Sequence, residues 1–366
     1  MRVAIAGSGA IGASVGLALQ TLGATTSIFE LRSLVAGASG RAFGGIRQQF
    51  TDPAEIELAQ RSLPFFESLP RALFDPVGYL YLATDDRTES ELRSRYQVQR
   101  DLGVTCDWLD RESVARTAVG VVTDDVRGAL FGPRDGTAEP SEITHHLLRQ
   151  FLLAGGQIHE SSPLPADVLS HFDAVVIATG CETPSILDGL GIARTELANA
   201  RLPIAALTRS LAETTIVQCH DRLPLVIETH DGFHFRRRGD RIRIAISDAP
   251  PRWTTDLDPA PNCDPHWGNE PLERLRRRLP AARTGSIERV WSGLYDVTPD
   301  SKPIIDKVSE NVYVAAGFSG HGFMISPAVG EGLAKWITCG TRPGLLASFA
   351  LKRFHTGVRY EYHSPL

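Results

Sequence analysis

The stretch that decides the fold is Arg2–Gly12, with the sequence RVAIAGSGAIG. Its first five residues are apolar and β-prone, and its last six have the spacing GxGxxG. The following Ala13–Leu19 is helix-forming and stops before Gly23, so the pattern predicts a strand, a tight glycine turn and a helix. A second apolar strand, Thr26–Phe29, ends at Glu30 and completes a βαβ unit.

A GxGxxG turn between a strand and a helix is typical of dinucleotide-binding proteins. Glycine lets the backbone approach a pyrophosphate, and the helix N-terminus presents amide N–H groups and the positive end of its dipole. Glu30 lies 18 residues after Gly12, near the spacing at which an acid accepts hydrogen bonds from the adenosine ribose. We therefore predict dinucleotide binding, with a glycine-rich turn that binds nothing as the alternative.

Further from this unit, the chain alternates between two kinds of pattern. Thr51-Asp52-Pro53 predicts a helix start, and Ala174–Ala178 is a continuous apolar run, as in a parallel sheet covered on both faces. Residues 201–300 instead contain short alternating strands, which are typical of antiparallel sheets. A parallel-type strand at Asn311–Ala316 and a helix at Ser326–Trp336 follow, which predicts one domain interrupted by another.

Composition restricts the class of protein. The 366 residues, 42% of them hydrophobic, fit a globular protein of two domains or one discontinuous domain. A formal net charge of −5 gives no overall attraction for nucleic acid or an anionic membrane.

The five cysteines show no metal-ligand spacing, which favours a reducing cytoplasm over a disulfide framework. We find no apolar run long enough to span a membrane, and no signal peptide, because the structural pattern begins at residue 2.

A second glycine-rich segment, Gly317–Met324 (GFSGHGFM), precedes the last predicted helix. Its amide groups could stabilise negative charge on a reduced flavin. Because it lies about 300 residues after the first glycine turn, the pair fits a long cofactor held in an extended conformation.

Together these segments resemble the FAD-dependent amino-acid and amine oxidoreductases of the D-amino-acid oxidase superfamily, the branch with sarcosine oxidase, glycine oxidase and D-amino-acid dehydrogenase. The segments that carry the resemblance are Gly7–Gly12 with Glu30, Ala38–Arg41 with Gly44–Phe50, Ala178–Gly180, and Gly293–Tyr295 with Thr298–Asp300, Pro303–Ile305 and Ala316–Phe323. The resemblance implies an α/β FAD-binding Rossmann-like domain with an inserted α+β, mainly antiparallel-sheet substrate domain.

We expect residues 1–77, 137–196 and 299–366 to form the FAD-binding domain, and residues 78–136 and 197–298 to form the substrate domain. The residues that the resemblance implies for FAD binding are Gly7, Gly9, Ala10, Ile11, Gly12, Glu30, Leu31, Arg32, Ser39, Arg41, Gly44, Gly45, Thr179, Gly180, Gly317, Gly320, His321, Gly322, Phe323 and Met324.

The sequence departs from the family at several positions, of which three concern a covalent flavin link and two lysines. Gly293 stands where sarcosine oxidases carry the cysteine that links covalently to the flavin, so we expect noncovalent FAD. Met324 replaces a lysine that helps hold the substrate carboxylate, and Arg243 aligns with a second lysine above the flavin. Lysine is scarce throughout, with only four lysines among 38 basic residues, which by itself indicates an arginine-preferring genome.

Four residues are candidates for catalysis. Arg47 can pair with a substrate carboxylate through its planar fork, unless it is a surface or FAD-facing arginine. His234 lies on a strand expected to cover the pocket, with a packed or solvent-facing histidine as the alternative. Arg243 could place positive charge near O2 or an anionic substrate, or be one of several exposed arginines. His321 lies in the flavin loop, where its backbone matters more than its ring.

The function implied by the resemblance is oxidation of an amino acid or N-substituted amino acid at a C–N bond. Hydride passes to flavin N5, the resulting imine hydrolyses, and the electrons go to O2 or to a protein or quinone acceptor. Three alternatives stay open: an NAD(P)-dependent dehydrogenase, a flavin-binding subunit of a hetero-oligomeric dehydrogenase, and a noncatalytic FAD-binding protein. The chain could also form a homo-oligomer.

Overall fold

The structure is a computed structural model that describes residues 1–192 and 202–354. The strands in these residues are Arg2–Ala6 (β1), Thr25–Phe29 (β2), Gly45–Ile46 (β3), Phe74–Asp75 (β4), Tyr79–Ala83 (β5), Asp107–Leu109 (β6), Gly128–Gly132 (β7), Gly136–Ala138 (β8), Gln157–His159 (β9), Ala174–Ile177 (β10), Ala205–Thr214 (β11), Leu225–Glu228 (β12), His234–Arg238 (β13), Arg241–Ala245 (β14), Arg252–Thr254 (β15), Ile287–Val297 (β16), Ile304–Lys307 (β17) and Val312–Ala316 (β18). The α-helices are Ala10–Thr21 (α1), Ala38–Arg41 (α2), Pro53–Glu67 (α3), Asp86–Asp101 (α4), Arg111–Thr117 (α5), Pro140–Leu153 (α6), Val168–His171 (α7), Thr183–Gly189 (α8), Asn269–Arg278 (α9) and Gly322–Cys339 (α10).

Strand β1 lies inside a six-stranded sheet of order β17-β18-β10-β1-β2-β9. Neighbouring strands pair in parallel except β17 and β18, which are antiparallel. Val3 and Ile5 pack into the core that contains α1, α6 and α10, whereas Ala4 and Ala6 enter a second core on the opposite face. This burial on both faces explains why the strands are continuous apolar runs in the sequence.

The carboxyl ends of β1, β2, β10 and β18 meet at one edge of this sheet because these four strands run in parallel. Gly7, Glu30, Thr179 and Gly317 follow or adjoin those ends. Ligands of open α/β sheets bind in the crevice at this edge. The topology therefore brings together segments that lie up to about 300 residues apart in the chain.

The second sheet has the order β15-β11-β14-β13-β12-β5-β7-β6, with β16 paired to β11. Strands β12 and β5 pair in parallel and the other neighbours are antiparallel. Within the described residues one of its eight pairings is parallel, so the sheet is mixed rather than purely antiparallel. Its side chains alternate: Tyr79 and Tyr81 face the core shared with the first sheet, and Leu80 and Leu82 face a separate core.

A third small sheet has the order β3-β8-β4, and helix α3 connects β3 to β4 in the chain. The predicted start of α3 is confirmed, since the Asp52 carboxylate caps the helix by accepting the Ala54 amide at 3.0 Å. Helix α10 begins at Gly322, four residues before the predicted Ser326, because the buried Phe323 and Met324 form its first turn rather than a loop.

The residues predicted for the FAD-binding domain supply every strand of the six-stranded sheet, and those predicted for the substrate domain supply the nine-stranded sheet. The predicted boundary at residues 196 and 197, and the chain from residue 355 onward, lie outside the described residues. The domain bounds thus stay a prediction. Among residues 1–192 and 202–354, no helix has both the length and the apolar character needed to cross a membrane.

Candidate functional site

The first glycine turn is packed so closely that side chains would not fit. Gly7 has φ +101°, and a Cβ there would lie 2.5 Å from the Ala178 carbonyl oxygen. A Cβ on Gly12 would lie 2.0 Å from the Gly7 carbonyl oxygen. Both values are far below a normal van der Waals contact, so glycine is required for the turn to reach the helix at Ala10. The N-terminus of α1 lies at the crevice, where the Ala10 amide donates to the Ser39 hydroxyl at 2.9 Å.

Glu30 is held at the end of β2 by three donors. The Ser8 amide and hydroxyl donate to Oε2 at 3.0 and 2.8 Å, and the Arg32 amide donates to Oε1 at 2.9 Å. Beside it, the Arg32 guanidinium forms a bidentate ion pair with Glu182 at 3.0 and 2.9 Å. Sequence reasoning missed Glu182, because the pair joins positions 150 residues apart. The carboxylate of Glu30 is oriented to accept the hydroxyl groups of a ribose.

One continuous cavity extends from Glu30, past the glycine turn, to the start of α10. The candidate residues that line it are Gly7, Gly9, Ala10, Ile11, Glu30, Leu31, Arg32, Ser39, Gly44, Gly45, Arg47, Thr179, Gly180, His234, Gly320, His321, Gly322, Phe323 and Met324. The structure thus brings together all but four of the residues singled out from the sequence.

The four exceptions are Gly12, Gly317, Arg41 and Arg243, which do not line the cavity. The two glycines support residues that line the cavity. Gly12 packs against Gly7, and the Gly317 amide donates a hydrogen bond to the buried Asp296 carboxylate at 2.7 Å. The Arg41 side chain turns toward β16, where it donates to the Ser292 carbonyl at 3.2 Å.

Arg243, which the resemblance aligns with a lysine above the flavin, does not line the cavity. Its side chain points to the face of the sheet that adjoins the first domain, but Nε donates to Glu213 at 2.8 Å and the guanidinium lies 5.5 Å from the Trp291 ring centroid. Glu139 approaches it at 3.7 Å. These two carboxylates hold Arg243 in a buried ion network, so the structure does not support its expected position at the reaction site.

Arg47 is buried in the cavity wall, with only 6% of its surface exposed. Nη1 donates to the Gln49 carbonyl at 2.9 Å, Nη2 lies 3.1 Å from His321 Nε2, and the guanidinium stacks on Phe50 at 4.5 Å. Each Nη atom carries two protons, and these two contacts use one proton on each. Burial, together with the Arg47 charge, lowers the pKa of His321 to about 3, and its imidazole is neutral at physiological pH.

A buried carboxylate supports the loop that carries Arg47. Asp135 accepts hydrogen bonds from the Gln48 amide at 3.0 Å and from Gln49 Nε2 at 3.0 Å. Burial raises the Asp135 pKa to about 6, against the opposing effect of these hydrogen bonds. No local sequence pattern marks Asp135, since its partners lie 86 and 87 residues earlier in the chain.

His234 faces the same cavity from the nine-stranded sheet. Its Nδ1 lies 2.7 Å from the Gly232 carbonyl oxygen, and its ring meets Phe43 edge-on at 4.5 Å. Burial lowers the His234 pKa to about 4, so this imidazole is also neutral. Tyr79 and Tyr295 line the cavity as well.

This arrangement fits FAD. The glycine turn at the start of α1, the Glu30 carboxylate and the tight Gly320–Gly322 turn at the start of α10 lie along one elongated cavity. A Cβ on Gly320 would lie 2.3 Å from the Tyr295 ring, so this second turn is also limited to glycine. Two glycine turns at two helix N-termini are suited to an anionic dinucleotide and a flavin ring.

Comparison with known proteins agrees with this geometry. A 4-methylaminobutanoate oxidase (formaldehyde-forming) of Paenarthrobacter nicotinovorans is 25% identical over 95% of this chain and 45% of its own length. The beta subunit of sarcosine oxidase from an Arthrobacter species is 24% identical over 99% of this chain and 93% of its length. The L-proline dehydrogenase structure from P. horikoshii superimposes with a TM-score of 0.87, covering 97% of this chain and 98% of that one at 26% identity.

The chain spans less than half the length of the first curated relatives it matches. The family assignment itself rests on most of the chain, since residues 2–336 match the family profile. With the glycine turns, the Glu30 carboxylate and the shared fold in place, the chain belongs to the DAO family of FAD-dependent oxidoreductases.

Proposed function

We propose that this chain oxidises an amino acid or an N-substituted amino acid at a C–N bond. The observation that carries the proposal is the Arg47 guanidinium, buried in the wall of the FAD cavity between the Gln49 carbonyl and His321. A buried cation in a ligand cavity needs an anionic partner, and a carboxylate matches its fork. The relatives named as acting on 4-methylaminobutanoate and L-proline support the same substrate class.

In this proposal, different residues of the chain bind the substrate and limit its contact with water. Arg47 holds the substrate carboxylate, while Ile227, Leu294 and Met324 provide apolar walls that limit water around the reacting carbon. FAD, when bound, supplies the acceptor for the hydride from the substrate Cα–H, which leaves an imine for water to hydrolyse. The FAD is noncovalent in this proposal, because Gly293 offers no thiol and its would-be Cβ lies 3.2 Å from Arg41.

An anaerobic flavin-bleaching screen tests the proposal. Purified FAD-loaded protein is mixed with D-, L-, N-methyl and N-carboxymethyl amino acids without oxygen, and absorbance near the flavin maximum is followed before and after air is readmitted. We expect at least one carboxylate-bearing amine to bleach the flavin; failure of the whole panel would favour a noncatalytic FAD-binding protein. Recovery in air distinguishes an oxidase from a dehydrogenase, and acid precipitation should leave a colourless pellet.

A second candidate is a flavin-binding subunit of a hetero-oligomeric dehydrogenase. It is favoured by the match to a sarcosine oxidase beta subunit over nearly the whole of both chains. Size-exclusion chromatography of the protein from its native host tests this candidate: a stable assembly with a second polypeptide supports it, and a complex of this chain alone contradicts it.

A further inference from the structure

The hydrogen bond between His234 and Gly232 determines which ring nitrogen carries the proton. A carbonyl oxygen only accepts, so the 2.7 Å contact requires a proton on Nδ1. The imidazole is neutral, because burial lowers its pKa to about 4. Nε2 therefore carries a lone pair and acts as an acceptor.

This acceptor has no donor from the described protein. The described residues place no hydrogen-bond donor on Nε2, and the atom is not closed off by protein, in contrast to Nδ1 of His321. His234 lines the cavity, and its ring is oriented by the Gly232 carbonyl and by the edge-on contact with Phe43 at 4.5 Å. Nε2 is thus a preoriented acceptor open to a ligand.

The other polar side chains around this part of the cavity already have protein partners or carry a donor. Arg47 offers only donors, and Nε2 of His321 already accepts from Arg47. Burial raises the pKa values of Tyr79 and Tyr295, so both hydroxyls stay protonated and can donate as well as accept, whereas Nε2 of His234 only accepts. The lining carboxylates accept from protein donors: Glu30 and Glu182 at the far end, and Asp296 from the Gly317 amide.

We infer that His234 recognises the substrate amino group, with ring Nε2 accepting a hydrogen bond from an amine N–H while Arg47 holds the carboxylate. The inference rests on the proposed function, because it assumes an amino-acid substrate. An anion-binding donor and a neutral acceptor on two sides of one cavity match the two ends of an α-amino acid. Hydride transfer requires the neutral amine, and a neutral amine satisfies this acceptor only if it keeps an N–H, so primary and secondary amines are substrates and tertiary amines are rejected.

Two redox-inert ligands isolate this hydrogen bond. Pyrrole-2-carboxylate and furan-2-carboxylate share ring size and carboxylate, but pyrrole offers an N–H where furan presents an oxygen lone pair. Each is titrated into FAD-loaded protein, and its Kd is read from the change in the flavin spectrum. For the wild type we expect the pyrrole to bind about 10-fold tighter, since furan leaves Nε2 without its donor and opposes two lone pairs.

Variants of His234 separate recognition from packing. His234→Phe keeps the aromatic contact with Phe43 and should bring the two Kd values to within about twofold, whereas His234→Gln retains an acceptor oxygen and should keep part of the preference. The matched control is His159→Phe, which alters another histidine packed on a phenylalanine, at 4.6 Å from Phe29 and outside the cavity lining. Its Kd ratio should equal that of the wild type.

Three outcomes would overturn the inference: equal wild-type affinities, a His234→Phe variant that weakens both ligands and preserves their ratio, or no binding of either ligand. None of these decides the proposed function, which is tested by bleaching with oxidisable amines. Bleaching by N-methylglycine and by N,N-dimethylglycine at equal rates would contradict the inference while supporting C–N oxidation.

Discussion

Arg47 and His321 meet in the cavity wall, with Nη2 and Nε2 3.1 Å apart. The guanidinium can only donate, so the imidazole accepts and its own proton lies on Nδ1. One residue comes from the loop after β3 and the other from the turn before α10, which are 274 positions apart. The contact therefore ties the predicted substrate-binding arginine to the glycine turn that the resemblance assigns to the flavin.

Replacing Arg47 with Met should separate substrate binding from cofactor binding. We expect KM for a carboxylate-bearing substrate to rise by about 100-fold, because a charge-assisted pair with a buried cation is lost. FAD content should be unchanged, as measured by the ratio of flavin to protein absorbance. The matched control is Arg93→Met, since Arg93 also stacks on an aromatic ring, Trp108 at 4.2 Å, but lies outside the cavity lining. An unaltered KM in Arg47→Met would remove Arg47 from the site.

Substituting alanine at Gly7 should abolish FAD binding, because the new Cβ would meet the Ala178 carbonyl at 2.5 Å and displace the turn. Gly23→Ala is the matched control: Gly23 also has a positive φ, +84°, but its Cβ would have no neighbour within 4 Å. Both variants carry the backbone strain of an L-residue at positive φ, about 1 kcal/mol or more. Fluorescence titration with FAD should therefore show binding in Gly23→Ala and none in Gly7→Ala; equal affinities would contradict this.

The predictable part of this molecule is the part encoded by local pattern. The strand, glycine turn and helix of Arg2–Thr21, and the acid at Glu30, lie within one βαβ unit whose signals are contiguous, and they were identified from the sequence. Arg243, by contrast, has a partner that no local pattern marks. Its strand position directs the side chain to the face of the sheet that adjoins the first domain. There, Glu213 on the adjacent β11 accepts a hydrogen bond from its guanidinium at 2.8 Å. Such a pairing depends on strand order, which local periodicity does not contain.

Converting Met324 to Lys should broaden the substrate range toward dicarboxylates. Met324 lines the cavity and is 8% exposed, so an ammonium there would add a second, partly desolvated cation beside the substrate. We expect the ratio of KM for iminodiacetate to KM for N-methylglycine to fall by about 10-fold relative to the wild type. Met324→Leu, which keeps the volume and adds no charge, should leave the ratio unchanged. A lysine variant with the wild-type ratio would show that Met324 does not adjoin the substrate.

Asp135 should make the protein less stable as pH rises through the acid range. Its folded pKa is raised to about 6 from an ordinary 3.8 by burial, so between about pH 4 and pH 6 the native state binds more protons than the unfolded state. Stability from this group is present below about pH 4 and is lost as pH approaches and passes 6, by up to about 3 kcal/mol. Asp135→Asn removes this titration, although it also loses one acceptor for Gln48 and Gln49.

The informative quantity is therefore how the Tm difference between the two proteins changes with pH, not the absolute stability of Asp135→Asn. The apparent Tm of wild type and variant is compared at pH 4.5, 5.5, 6.5 and 7.5, and the Tm of the wild type minus that of the variant should fall over the first three points. Buried Glu55 and Asp296, whose pKa values burial raises to about 7 and about 6, titrate in both proteins and cancel in the difference. Asp124→Asn, at an exposed carboxylate, should run parallel to the wild type. Parallel curves for Asp135→Asn as well would show that the Asp135 carboxylate is ionised throughout, and that the Arg47 loop rests on a permanent buried charge.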